Sequence, residues 1–161
     1  MRPALILRLF DQGYDHKAWH GPTLRGSLRG VSAEVAAWRP APGRHNIWEV
    51  AVHCAYWKYT VLRRMSNAPR GSFPLPGSNW FRRPVELTDA AWKQDLRLLA
   101  DTHKALRAAI EGVPDAALDK KPPGSKTLLI DTLLGIASHD LYHAGQIQLL
   151  KRLRGNGTRG R

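Results

Sequence analysis

The sequence predicts an all-α fold, an antiparallel four-helix bundle with extra short helices and one long loop. Three observations lead there. Apolar residues recur at helical spacing in four long segments, no segment shows sustained strand alternation, and proline- and glycine-rich stretches punctuate the segments. Helices that follow one another with no strands between them pack as a bundle. A chain of 161 residues is one domain long and can bury its own core. We read residues 1–154 as a single helical domain and residues 155–161 as a flexible basic tail, because the glycines there oppose a continuing helix.

The first segment runs from about Pro3 to Trp19, with Leu5, Leu9 and Tyr14 on its stripe. Gly21-Pro22 breaks it, and Pro22 suits the start of a continuation through Leu24 and Leu28. A short turn near Ser32–Ala37 ends before Pro40. The second long segment spans Ile47 to about Met65. Asn46 is placed to cap it, with Glu49 three residues on, close to a capping-box arrangement. From Asn67 to Leu87 the chain is rich in Pro, Gly and Ser, and a loop of that length often borders a functional site. The third segment starts at Thr88, with Asp89 in its first turn, carries Trp92, Leu96, Leu99, Leu106 and Ile110, and stops at Gly112-Val113-Pro114. A loop through Pro122-Pro123-Gly124 leads to the fourth, roughly Thr127 to Leu153, the longest and most apolar.

Composition excludes several classes. A hydrophobic fraction of 43% argues against wholesale disorder. The apolar runs fall well short of the ~20 residues that span a bilayer, so no membrane association is expected. The opening apolar run is interrupted early by Asp11 and does not read as a signal peptide. The single cysteine, Cys54, has no internal partner for a disulfide, which fits a cytoplasmic protein. The formal net charge of +12 suits an anionic partner, but its arginines are scattered and no nucleic-acid-binding signature accompanies them. Nucleic acid is therefore not expected as a partner.

Histidines carry the chemistry. Ile136, His139, His143, Ile147 and Leu150 follow steps of three and four and share one helix face. Val50, His53, Trp57 and Val61 form a second such stripe. Packed face to face, the two stripes bring three imidazoles together, and a pair four residues apart is close enough to grip one ion. Core histidines are also commonly satisfied by hydrogen bonds, so spacing alone leaves a metal centre and a hydrogen-bonded core as alternatives. Asp140 follows His139, so the His-Glu-x-x-His pattern and its built-in base are missing. The helices hold no Glu-x-x-His pair of the carboxylate di-iron type either.

The stretch Ser138-His139-Asp140-Leu141-Tyr142-His143-Ala144-Gly145-Gln146-Ile147 resembles a hallmark of the DinB-like (DinB/YfiT) superfamily. Its companion, Asn46-Ile47-Trp48-Glu49-Val50-Ala51-Val52-His53, is similar to that family's second-helix segment. Trp19-His20-Gly21-Pro22 and Gly77-Ser78-Asn79-Trp80-Phe81 look like features of one branch. The resemblance covers nearly the whole chain and implies a DinB/YfiT-type bundle. It also implies one divalent ion on His53, His139 and His143, zinc or nickel first and iron or manganese next, and a homodimer. Characterised members of the family include thiol-dependent S-transferases and a thiol-dependent isomerase, and others are described as metal-dependent hydrolases.

Three protein ligands leave a coordination position open, which suits water activation, carbonyl polarisation or thiol binding. The implied function is a metal-dependent enzyme, a hydrolase or thiol S-transferase. It would act on a small-molecule substrate, with a low-molecular-weight thiol as a possible partner. The alternative is a non-catalytic metal-binding stress-response or interaction module. Cys54 points about 100° round the helix from His53 and makes a poor fourth ligand. Catalytic candidates are His20 at the pocket mouth, and Gln146 and Asp140 as groups that orient an imidazole, although Asp140 also reads as a surface residue. His16, His45 and His103 read as bystanders at polar positions. Trp48, Trp57, Trp80 and Trp92 read as core or pocket wall, and Arg82 and Arg83 as attractors of an anionic substrate.

Overall fold

The structure is a computed structural model that describes residues 2–157. Every regular element among them is helical: α1 (Arg2–Tyr14), α2 (Leu24–Leu28), α3 (Ala33–Ala37), α4 (Ile47–Met65), α5 (Asp89–Glu111), a 3-10 turn (Asp115–Ala117) and α6 (Leu129–Gly157). The starts follow the expected capping chemistry. Asn46 Oδ1 accepts from Glu49 N at 2.8 Å, and Thr88 Oγ1 accepts from Ala91 N at 3.1 Å. The Glu49 side chain does not close a capping box. It turns instead to Arg39, His45 and the backbone N–H of Arg83. Burial alone would raise the Glu49 carboxyl, but the Arg39 and His45 hydrogen bonds outweigh it and hold it at about 2.

The first helix ends five residues earlier than the sequence suggests. Asp11 O accepts from both Asp15 N and His16 N at 3.0 Å, closing the last turn before Trp19, which is fully exposed. At the other end, α6 passes through Gly155 and reaches Gly157. A glycine costs a helix about 1 kcal/mol and is not by itself a stop. The remainder of the expected tail lies outside the described residues.

The four long helices close into a ring in which α1 packs on α6, α6 on α4, α4 on α5 and α5 on α1. Antiparallel packing joins α1 to α5, where Tyr14 stacks on His103 and Asp11 pairs with Arg107. It also joins α4 to α6, where His53 meets His139 and, further along, Leu62 and Met65 approach Leu129. By contrast α4 and α5 descend together. Trp48 meets Trp92 and Asp95 near the start of both helices, and Met65 lies with Gly112 at their ends. The long loop makes this possible by carrying the chain back along the 19 residues of α4, roughly 28 Å. Close approach of α1 to α6 needs Gly13, where an added Cβ would stand 3.0 Å from the Ala137 carbonyl oxygen.

Two apolar clusters fill the bundle. One gathers Trp48, Trp92, Leu99 and Ile147, and the other Phe10, Leu106, Ile110 and Leu133. A polar layer separates them, containing the histidines of α4 and α6 and the wholly buried Lys58 and Asp140.

His103 belongs to this interior. It is no bystander at a polar position: it is buried and stacked on Phe10 (centroids 4.4 Å apart) and Tyr14 (3.6 Å). Burial, then the charges of Lys58 and Arg107, hold its pKa at about 2. The unfolded chain therefore takes up an extra proton between pH 6.5 and 2. The contribution of neutral His103 is complete above pH 6.5 and is lost as pH falls toward 2, by up to about 1.4 kcal/mol per unit. His103→Phe keeps the stack and removes the proton. Urea denaturation between pH 7 and 4 should show a shallower acid loss in this variant than in the parent, and parallel curves would refute the assignment.

Candidate metal centre

His53 sits at the end of the second turn of α4, and His139 and His143 one turn apart in α6, so antiparallel packing points all three rings into the polar layer. His139 Nε2 lies 3.1 Å from His53 Nε2 and 3.1 Å from His143 Nε2. Nitrogens bound tetrahedrally to one zinc at 2.0–2.1 Å sit about 3.3 Å apart, so the spacing suits a shared ion with little movement. No fourth histidine, cysteine or carboxylate joins these three among the described residues.

The protonation state is also right. Burial, then the neighbouring histidines, lowers His139 to about 3, and burial followed by His53 lowers His143 to about 4. Burial pushes His53 down as well. At neutral pH the three rings are uncharged and can offer lone pairs. Two of them are oriented from behind. His53 Nδ1 donates to the backbone carbonyl of Asn79 at 2.9 Å, and His143 Nδ1 donates to Gln146 Oε1 at 2.7 Å, so both Nε2 atoms face the centre unprotonated. Gln146 is in turn held by Tyr142, to whose hydroxyl its amide donates at 2.9 Å. Gln146→Leu should leave the fold intact and weaken divalent-metal affinity about 10- to 100-fold, as read by competition with a chromophoric chelator. Unchanged affinity would mean the Gln146 contact does not tune the ring.

Beside His139 lies the buried Lys58–Asp140 ion pair. The sequence reading of Asp140 as a surface residue is wrong: both partners are fully buried. Burial pushes the Asp140 carboxyl up, and Lys58 opposes it. The Lys58 ammonium also lies over the Phe10 and Tyr14 rings, at 4.7 and 5.5 Å from their centroids. Asp140 Oδ1 and His139 Nδ1 have no hydrogen-bond partner. Cys54 shares a cluster with His139 and Asp140 but not with His53 or His143, and burial drives its thiol pKa upward. It is no fourth ligand to the three-histidine group.

The long loop supplies the roof. Trp80 stacks on His53 at 3.8 Å between centroids and on His45 at 3.6 Å, so His45 supports the roof and is not a bystander. Asn79 adopts φ 64, a left-handed conformation that asparagine tolerates better than most residues. There it accepts from His53 through its backbone carbonyl and from Trp57 Nε1 through Oδ1 at 2.9 Å. Periodicity carries no signal for these contacts, because loop residues lack it and the pairing is long-range; the reading of Trp80 as core or pocket wall is the nearest sequence pointer.

Other expectations fall differently. His20 is exposed in a groove with Leu141, Gly145 and Arg152, on the opposite face of α6 from His139 and His143, so the structure does not bring it to the centre. Arg83 Nε stands 2.9 Å from Asp95 Oδ2, too poorly aligned for a hydrogen bond, and its backbone braces Glu49 and Asn46. It is committed to structure and not free for a substrate. Trp48 and Trp92 are core: the indoles donate to Asp95 and to Val31 O, both at 2.7 Å.

A helical bundle with three convergent, neutral imidazoles defines a class of protein whose core carries a histidine group able to hold a metal ion. A family model described as the DinB superfamily matches residues 18–147, and the chain belongs to that superfamily. No curated protein and no solved structure gives a match.

Proposed function

We propose that this protein is a metal-dependent enzyme, with one divalent ion, zinc or nickel, on His53, His139 and His143. The observation that carries the reading is the incomplete donor set: three oriented neutral imidazoles with no fourth side-chain ligand among the described residues. Structural sites normally close with four protein ligands, whereas catalytic sites keep a position open. An ion held there would supply Lewis acidity, polarising a carbonyl or lowering the pKa of a bound water or thiol.

The chain's own groups do the rest. Asn79 and Gln146 fix two ring tautomers, and Trp80 shields one face of His53 from water. Family membership and the open donor set support hydrolysis or thiol S-transfer on a small substrate. The deciding experiment assays metal-loaded protein with low-molecular-weight thiols and electrophilic acceptors, and in parallel with esters and amides. Turnover that depends on metal and disappears in His139→Ala is the expected result. Stoichiometric metal that raises the melting temperature with no turnover in any assay would favour a binding module instead.

We also propose a homodimer. Leu134, Leu149 and Leu153 are exposed on α6, so its outer face is apolar too. Sedimentation should show twice the monomer mass, and Leu149→Glu should halve it. Among the described residues no helix is long and apolar enough to cross a membrane. The single cysteine, with no internal disulfide partner, supports a cytoplasmic location.

A further inference from the structure

Three arginines without an ion-pair partner share one cavity wall. Of the residues that line a cavity of about 460 Å³ between the second half of α4 and the loop after it, three are arginines and none is acidic. Arg63, Arg64 and Arg70 form no ion pair among the described residues; other arginines share that property, but these three line a single cavity without a carboxylate. Arg63 and Arg64 are half-buried, and Arg63 makes only a 3.3 Å bond to the Ala68 carbonyl. Unpaired guanidinium groups at a concave, partly dry wall concentrate positive potential there.

A second, independent observation lies in the same wall. Thr60 lines it and is buried, yet its hydroxyl has no hydrogen-bond partner. Thr102 and Thr132, also in helices, satisfy their hydroxyls on the carbonyl four residues back, at 2.8 and 3.0 Å. Thr60 does not. A buried hydroxyl left without a partner costs about 1–3 kcal/mol and calls for a ligand or water to complete it.

The remaining wall is aromatic. Tyr56 and Phe73 meet edge-to-face at 5.3 Å, and the Tyr59 hydroxyl anchors the loop through Ser72 N and Oγ at 3.2 and 3.1 Å. The volume suits a small organic molecule. Position ties the cavity to the metal centre. His53, Trp57, Thr60 and Arg64 step by four, three and four along one face of α4, which sets Thr60 about 10 Å beyond His53. Trp57 lines the cavity and bonds Asn79, whose carbonyl holds His53, so one pair of residues joins the cavity wall to the centre.

We propose that this cavity binds the anionic end of an organic ligand, a carboxylate or phosphate ester with an apolar or aromatic body, through Arg63 and Arg64, with the Thr60 hydroxyl turning out of the wall to meet it. The proposal deepens the enzymatic reading by naming the substrate class. It rests on that reading for turnover only, since binding needs no metal. Phenyl phosphate, benzoate and neutral benzyl alcohol serve as probes in calorimetric titrations of the full chain, metal-free and metal-loaded.

Phenyl phosphate or benzoate should bind at least 10-fold more tightly than benzyl alcohol, more weakly at higher salt, with similar affinity in both metal states. Arg63→Gln combined with Arg64→Gln should reduce anion affinity at least 10-fold. Thr60→Val should reduce it several-fold while the melting temperature holds or rises and metal stoichiometry is unchanged. Benzyl alcohol binding as tightly as the anions overturns the proposal, as does anion binding unchanged in both variants. Anion binding by a chain that takes up no metal would refute the centre and leave the cavity assignment standing, so the two failures are separable.

Discussion

Lys58→Met is expected to cost about 3–5 kcal/mol of folding stability, the largest effect of any single substitution considered for this chain. Lys58 and Asp140 are both fully buried, so removing the ammonium strands a carboxylate that already has one oxygen without a partner. Desolvation then forces Asp140 to take a proton or drag in water, and either route weakens the folded state. The cation-π contacts to Phe10 and Tyr14 disappear with it. The double variant Lys58→Met with Asp140→Leu removes both charges, and most of the lost stability should return, because a buried pair is often no better than an apolar one of similar size. Urea denaturation of the two single variants and the double gives the coupling directly. A Lys58→Met chain within 1 kcal/mol of the parent would show that the pair is not sequestered as described.

His139→Ala is expected to lower divalent-metal affinity by at least a thousandfold, as are His53→Ala and His143→Ala. The His139 Nε2 lies 3.1 Å from the Nε2 of each of the other two. Without any one of the three the remaining pair keeps a two-point grip, which any divalent ion in water exchanges readily. The control is His103→Ala. His103 is as buried as the ligands but stacks on Phe10 and Tyr14, away from the centre, so its loss should reduce stability and leave metal affinity unchanged. Competition with a chelator of known affinity separates the two outcomes. Equal losses in both variants would mean that general destabilisation, and not ligation, governs metal uptake.

Much of this was readable from periodicity. The bounds of α4, the caps at Asn46 and Thr88 and the convergence of His53, His139 and His143 all follow from steps of three and four and from end signals that act locally. Asp140 was misread although a signal existed. Leu133, Ala137, Ala144 and Ile147 step by three, four and seven to either side of it, a stripe of apolar residues that marks the position as buried. Lys58 carries a matching signal between Cys54 and Val61. What periodicity could not deliver was the roof. Trp80 and Asn79 belong to a loop whose path depends on long-range packing, and no local rule places an indole on the His53 ring. The same limit hid the parallel course of α4 and α5, since a loop that long permits either direction.

The most direct test of the metal centre is X-ray absorption at the metal edge on untagged protein, stripped with chelator and reloaded with one equivalent of zinc or nickel. The expected spectrum shows about three imidazole nitrogens at 2.0–2.1 Å with one exchangeable oxygen donor, at one ion per chain. A chain that retains no ion after reloading, or a first shell containing sulfur, would contradict a centre built on His53, His139 and His143.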